Sequence, residues 1–167
     1  ATPTTTPSAL PSPCTTPCHQ VMVECDHEDV HGGEFHDWDC SMHLPPGACE
    51  ELQLSEGLTL DQLSLFELIE AATTVSPTFD GIMARCIALH ELLHSTQEEI
   101  FCPEVDQRCA EPDAFGVSLD CLEEAYLRYC SSASRDRSLC SRLYEMMAIT
   151  EVRGAMIQCL CSVAGAG

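Results

Sequence analysis

The sequence predicts an all-α fold: a disulfide-rich bundle of four to five helices, preceded by an irregular N-terminal segment that cysteines hold in place. Three observations lead to this prediction. Apolar residues recur at helical spacing from residue 58 onward, the 167 residues include 13 cysteines, and residues 18–50 show little periodicity. A chain of this length buries enough surface for one domain. We therefore predict one globular domain over residues 18–167, with its helical core in residues 51–167.

Residues 1–17, ATPTTTPSALPSPCTTP, form a segment rich in Thr, Pro and Ser. This composition favours an extended, polyproline-like stalk and is typical of O-glycosylated tracts. Cys14 and Cys18 lie at its end and are expected to tie it to the domain. Such a beginning is expected of a mature secreted chain whose signal peptide has been removed.

Residues 18–50 hold five of the seven histidines among many acidic side chains. Imidazoles with carboxylates suit zinc or copper, and carboxylates alone suit calcium. We therefore predict a divalent-metal site in this segment, with four candidate ligands: His27, His31, His36 and Asp37. The alternative is a solvated acidic loop whose histidines bind nothing specifically. Only residues 20–24, QVMVE, have the pattern of a short strand.

Four amphipathic stretches predict the helices, at residues 58–74, 77–101, 117–130 and 137–161. Thr59 and Ser118 are the expected N-caps of the first and third helices. A break is expected in the last helix at Thr150 or Gly154. The cysteines of this half lie near helix ends, which suits disulfides between antiparallel neighbours.

The cysteine content predicts an oxidising, extracellular compartment, because a density of about 8% is typical of secreted disulfide-stapled domains. Since 13 is odd, at least one cysteine is free or bonded to another chain. An intermolecular disulfide would give a covalent homo-oligomer. The alternative is a buried free thiol that packs as a small hydrophobic side chain.

The charge balance limits the kinds of molecule that are expected to bind this protein. The chain has 27 acidic residues against 7 arginines, contains no lysine, and carries a net charge of −20. This charge repels phosphate backbones and anionic lipids, so neither nucleic acid nor a membrane surface is expected as a partner. It attracts metal cations and basic proteins, although solubility alone would also account for it. The chain contains no run of about 20 apolar residues, so insertion into a membrane is not expected.

Residues 90–94, His-Glu-Leu-Leu-His, match the HExxH pattern. On a helix, residues four apart lie on one face and can direct two imidazoles at one zinc ion. Over about ten residues the chain resembles the zincin metallopeptidases at this motif. The resemblance implies that His90 and His94 are zinc ligands and that Glu91 is the general base. It also implies a third protein ligand and a β-sheet ahead of the helix.

The sequence does not identify which residue would be the third zinc ligand. The extension HExxHxxGxxH is absent, since the chain continues HSTQEEI. The candidates of the required types are Glu123, Glu124 and Glu145 on later helices, and Asp106 or Asp113. Two other interpretations of the motif remain: an amphipathic helix whose histidines border the core, and a di-iron pair of Glu91 with His94, which would need a partner such as Glu28 with His31.

The sequence favours a secreted, acidic extracellular structural or interaction protein. In this interpretation it binds divalent metal through residues 18–50 and assembles with itself or with another extracellular protein. The alternative is a small secreted zinc metallopeptidase, in which Glu91 is the catalytic residue and His90 and His94 bind the metal. A Ser/His/Asp enzyme is not predicted, because no nucleophile-elbow motif occurs.

Overall fold

The computed structural model describes residues 17–72, 77–102 and 107–166. Its helices are α1 (Pro46–Leu52), α2 (Gln62–Ala71), α3 (Phe79–His94), α4 (Glu98–Phe101), α5 (Glu111–Cys130) and α6 (Arg137–Ala166), with a 3-10 turn at Gln107–Cys109. Five of these helices have seven residues or more. The prediction of a largely helical, disulfide-rich fold is confirmed.

A small sheet corrects the prediction that the fold is purely α-helical. Its strands are β1 (Val21–Glu24), β2 (Glu34–His36), β3 (Ser41–His43) and β4 (Thr59–Leu60), in the order β2-β3-β1-β4. β1 and β3 are parallel, and the two outer pairs are antiparallel. Three of the strands have only two or three residues, too few to show the two-residue alternation by which strands are recognised.

The buried face of the sheet belongs to the main core. Val21 and Val23 alternate with less buried neighbours along β1, and both are fully buried. With Met42 of β3 they join a core that includes the apolar side of α3. The sheet and the helices therefore share one hydrophobic core, and β2 and β3 both contact α3.

Helix α3 is central to the fold. Thr78 caps its start, because the Thr78 hydroxyl accepts a hydrogen bond of 3.0 Å from the Gly81 amide. Along its length α3 packs against α1, α2 and α5. Ile82, Ala88 and Leu92 are among its buried side chains. This position places the HELLH motif, which ends the helix, in the interior.

Helix boundaries differ from the expected ones where tertiary contacts or caps decide them. Asp61, not Thr59, caps α2 through the Ser64 amide at 2.8 Å. Helix α5 begins at Glu111, seven residues before the expected cap at Ser118. Pro112 is compatible with this start, since the first turn of a helix needs no amide hydrogen from that residue.

Helix α6 runs without a break through the positions where one was expected. A Cβ atom on Gly154 would lie 3.3 Å from Cβ of Phe115 on α5. Gly154 is therefore a packing residue that lets the two helices approach closely, and it does not interrupt the helix.

Five disulfides join pairs of described cysteines: Cys18–Cys40, Cys25–Cys49, Cys86–Cys121, Cys109–Cys161 and Cys130–Cys140. Cys86–Cys121 connects α3 to α5, and Cys130–Cys140 connects α5 to α6, as expected of staples between neighbouring helices. Cys102 is disulfide-bonded as well. Cys159 is free and exposed. Cys14 and most of the predicted stalk, residues 1–16, lie outside the described residues.

Two features bear on the compartment. The disulfides are typical of proteins that fold in an oxidising environment. In the described part of the chain, no helix combines the length and the apolar character that a membrane span requires.

Removal of the Cys86–Cys121 bridge, by a Cys86→Ala/Cys121→Ala double substitution, is expected to lower the free energy of unfolding by about 2–5 kcal/mol. The bridge ties together two helices whose cysteines are 35 residues apart. Urea denaturation followed by circular dichroism measures the change. Cys159→Ala is the control, since this cysteine makes no bridge. Equal stability of the double variant and the wild type would contradict the prediction.

Candidate metal centre

The structure brings His90, Glu91 and His94 together at the C-terminal end of α3. Oε1 of Glu91 lies 3.8 Å from Nε2 of His90 and 3.9 Å from Nε2 of His94. The two imidazole rings meet edge to face, with 5.1 Å between their centroids. Within the described ranges, these residues form the one group of three or more potential ligands whose donor atoms all lie within 4.8 Å. The predicted helical placement of the motif is confirmed.

Glu111, the first residue of α5, completes the cluster from the other side. Its Oε2 lies 3.2 Å from Nε2 of His90, and its Oε1 lies 3.2 Å from Nε2 of His94. The acidic side chain is favoured at this position, because the first turn of a helix carries partial positive charge. A carboxylate from a second helix therefore faces the two imidazoles.

Glu111 was not among the residues that the sequence singled out. Glu123, Glu124 and Glu145 are exposed on α5 and α6, and Glu124 contacts Arg85 and Arg128 instead. Asp113 is also exposed, and Asp106 lies outside the described residues. The available signal was Pro112, which marks a helix start and puts Glu111 in its first turn.

Hydrogen bonds to Nδ1 orient both imidazoles. Nδ1 of His90 lies 2.8 Å from the Ser118 hydroxyl, which itself donates to the Ala114 carbonyl. Nδ1 of His94 lies 2.6 Å from Oε1 of Gln97, whose amide nitrogen donates to the Ala110 carbonyl. The Ser118 hydroxyl uses its hydrogen on Ala114, and Oε1 of Gln97 can only accept a hydrogen bond. Nδ1 of each histidine is therefore the donor and carries the hydrogen. Each Nε2 then faces the cluster, as in histidines whose other nitrogen is held by an outer hydrogen bond.

Two buried polar atoms of the cluster have no hydrogen-bond partner among the described residues: Oε2 of Glu91 and Nε2 of His94. The side chain of His94 does contact Glu111, but this ion-pair contact lacks the direction of a hydrogen bond. The Glu91 and His94 residues are only 4% and 3% exposed. An unsatisfied buried polar group destabilises the fold by about 1–3 kcal/mol, so such atoms indicate a functional site.

The environment shifts three pKa values. Burial raises the pKa of Glu91, and the neighbouring histidines offset this only in part. For His94 burial acts to lower the pKa, but the contacts with Glu111 and Glu91 outweigh it and raise the pKa. For Glu111 burial acts to raise the pKa, yet the close contacts with His90 and His94 outweigh it and lower the pKa to about 2. Glu111 is thus an ionised carboxylate, whereas Glu91 has an increased affinity for a proton.

The cluster opens into a cleft of about 230 Å³. Its walls come from α3, α5, α6 and the Gly32–Gly33 turn that precedes β2. A Cβ atom on Gly33 would lie 2.9 Å from Cγ of Glu91 and 3.1 Å from Cγ2 of Ile87. The backbone at Gly33 therefore covers Glu91 closely, and only glycine fits there without displacement.

Gly33→Ala is expected to lower the free energy of unfolding by about 1–3 kcal/mol, because the added methyl group would lie 2.9 Å from Cγ of Glu91 and overpack the site. Urea denaturation followed by circular dichroism checks this. Gly47→Ala is the matched control: a Cβ there meets nothing within 4 Å. A Gly33→Ala variant as stable as the wild type would contradict the prediction.

The four N-terminal candidates do not converge. Nδ1 of His27 lies 3.2 Å from the Asp29 carbonyl, His31 approaches Asp80 only at 4.0 Å, and His36 stacks on Trp38. Asp37 forms no ligand group with them in the described ranges. Metal binding by residues 18–50 stays a prediction. Glu28 and His31 lie in an exposed turn and not on a helix, so they do not supply the second pair that a di-iron site requires.

A Ser-His-Asp arrangement occurs in the sheet, at Ser41, His43 and Asp26. Nε2 of His43 lies 2.7 Å from the Ser41 hydroxyl, and its Nδ1 lies 2.7 Å from Oδ1 of Asp26. Ser41, however, is fully buried and its hydroxyl donates to Asp39. A substrate cannot reach this oxygen, so Ser41 is not a nucleophile. The hydrogen bonds of the arrangement instead stabilise this part of the sheet.

Comparison with protein-family models, curated proteins and solved structures gave no match for this chain. The resemblance to zincins thus rests on the HELLH motif alone, and function has to be derived from the site itself.

Proposed function

We propose that this protein is a secreted zinc-dependent hydrolase that cleaves peptide bonds. His90, His94 and Glu111 hold the metal, and Glu91 is the general base. The observation that carries the proposal is the convergence of these four side chains from two helices around buried Glu91 and His94. Oε2 of Glu91 and Nε2 of His94 have no hydrogen-bond partner among the described residues. An amphipathic helix whose histidines merely border the core would not bury an unsatisfied carboxylate.

The donor set fits zinc. Catalytic zinc takes three protein ligands drawn from histidine nitrogens and carboxylate oxygens, and it keeps a further position open. Two imidazoles and one carboxylate meet this requirement. Ser118 and Gln97 support the ligands from outside, as the outer partners of metal-bound histidines commonly do. An ionised Glu111 also offsets the positive charge of the metal.

The chemistry follows from the positions of the side chains. Zinc in such a site polarises a carbonyl group and acidifies water. Glu91 accepts a proton from the attacking water, and its burial favours the protonated form that results. The same carboxyl group can then pass this proton to the nitrogen that leaves as the C–N bond breaks. Water thus adds across the peptide bond, and Glu91 ends the cycle as a carboxylate.

Other features support this proposal. A sheet precedes the HELLH helix along the chain, as the resemblance to zincins implies. The cluster opens into the cleft, which is lined by His90, Glu91 and Glu111, so a substrate group can reach these side chains. The disulfides support an extracellular location, because they form and persist in oxidising compartments.

The test is elemental analysis of the dialysed protein together with a peptide-library cleavage assay. We expect about one zinc per wild-type chain and cleavage that a chelator stops. His90→Ala/His94→Ala should lose both. Metal that survives the double substitution would assign binding to residues 19–43, and a wild type without metal would overturn the proposal.

The second candidate function is assembly with itself or with an extracellular partner through an intermolecular disulfide. It is favoured by Cys159, which is free and exposed on α6 near the exposed side chains of Met156 and Leu160. Non-reducing gels of the wild type and of Cys159→Ser test it. A dimer band that disappears in the variant is expected, and a monomer in both would contradict this function.

A further inference from the structure

Among the described residues that line the cleft beside the candidate metal centre, one is an arginine. Arg153 is on α6, where Met146, Thr150 and Arg153 follow each other at helical spacing and all line the cleft. The close Gly154–Phe115 approach holds this part of α6 against α5, and the Cys109–Cys161 disulfide joins α6 to the 3-10 turn that precedes α5. α5 begins with the candidate ligand Glu111, and α6 is held against α5. Arg153 therefore lies on a rigid helix next to the candidate ligands.

Among the described residues Arg153 has no ion-pair or hydrogen-bond partner, unlike three other arginines that contact neighbouring side chains. Arg85 pairs with Glu70, Arg128 with Glu124, and Arg142 lies 3.8 Å from the centre of the Phe79 ring. Arg153 makes neither an ion pair nor a hydrogen bond to any residue that the structure describes. In a chain with 27 acidic residues and 7 arginines, an unpaired arginine in a cleft is available for an anionic group from outside.

We infer that Arg153 binds a carboxylate of the substrate and selects acidic peptides, an inference that rests on the proposed function. The guanidinium group can hold a carboxylate with two parallel hydrogen bonds. Met83, Leu122 and Met146 line the same cleft and can contact the adjoining aliphatic carbons. Asp29, Glu91 and Glu111 also line it and repel an anion, so the carboxylate is restricted to the side where Arg153 lies.

The experiment measures peptide binding to the zinc-loaded Glu91→Gln protein, in which the peptide is not consumed. Four peptides of one sequence carry Glu or Gln at the central positions and end in a carboxylate or an amide. This set distinguishes binding of a side-chain carboxylate from binding of the C-terminal carboxylate. Arg153→Gln is compared with Arg137→Gln, which makes the same charge change on the same helix but does not line the cleft.

We expect the protein with Arg153 to bind one of the acidic forms about 10- to 100-fold more tightly than its neutral analogue. Arg153→Gln should remove this preference, and Arg137→Gln should keep it. Equal affinity for all four peptides, or the same loss in both variants, would overturn the inference. A preference that persists without cleavage by the wild type would instead overturn the proposed function and leave the carboxylate site in place.

Discussion

Replacement of Glu91 by glutamine is expected to stop peptide hydrolysis and to leave zinc bound at about one ion per chain. Glutamine has nearly the same shape but cannot accept the proton of the attacking water. General-base catalysis contributes about 10²- to 10⁴-fold, so kcat should fall by at least this range. Measurements of kcat and of zinc content on one preparation check both parts.

The same substitution separates a catalytic from a structural role. Glu91 is buried, and its Oε2 has no hydrogen-bond partner among the described residues. A neutral amide is easier to bury than a carboxylate, so the melting temperature should not fall. Glu123→Gln, at an exposed position of α5, is the control and should keep full activity. Loss of zinc in Glu91→Gln would mean that Glu91 is a ligand and not the base.

Replacement of Glu111 by glutamine is expected to weaken zinc binding more than 100-fold and to eliminate activity with it. Loss of an outer partner of a metal ligand costs about 10- to 100-fold in affinity, and loss of a ligand should exceed this. The carboxylate of Glu111 lies 3.2 Å from Nε2 of each histidine, and in the proposed site it would supply negative charge that complements the metal. Competition with a zinc chelator of known affinity measures the change.

Ser118→Ala is a control for which we expect a smaller loss of zinc affinity than for Glu111→Gln. Ser118 contacts Nδ1 of His90 and does not face the cluster, so its loss should weaken zinc binding by the smaller factor. Glu123→Gln, on the same helix as Glu111, should bind zinc like the wild type. If Glu111→Gln binds zinc as tightly as the wild type, a different residue supplies the third ligand.

Part of the site was predictable because its causes are local. His90, Glu91 and His94 share one helix face by virtue of the 3.6-residue repeat, and the apolar residues before them predict that helix. The positions of the cysteines on the predicted helices likewise indicated that disulfides join neighbouring helices, and the structure shows Cys86–Cys121 to be one of them. The pairing of individual cysteines was not predictable, since it depends on which helices pack together.

Glu111 escaped prediction because its role depends on residues far away in the chain. The sequence EPDAFG contains a proline and a glycine, which are more common outside helices, and the helix was therefore expected to begin only near Ser118. β1 (Val21–Glu24) coincides with the strand expected at residues 20–24, whereas the other three strands escaped prediction for a related reason. β2, β3 and β4 are short, and they are stabilised by pairing with β1 and by the core and not by their own residues.

The sequence by itself determined the helical character, the likeness to zincins at one motif and the excess of acidic charge, because each follows from composition or from spacing within a few residues. Only the tertiary structure decided that Glu91 and His94 are buried, that Glu111 faces them and that Arg153 shares their cleft. Burial and the approach of side chains depend on how α3, α5 and α6 pack, and this packing arises from contacts between distant parts of the chain.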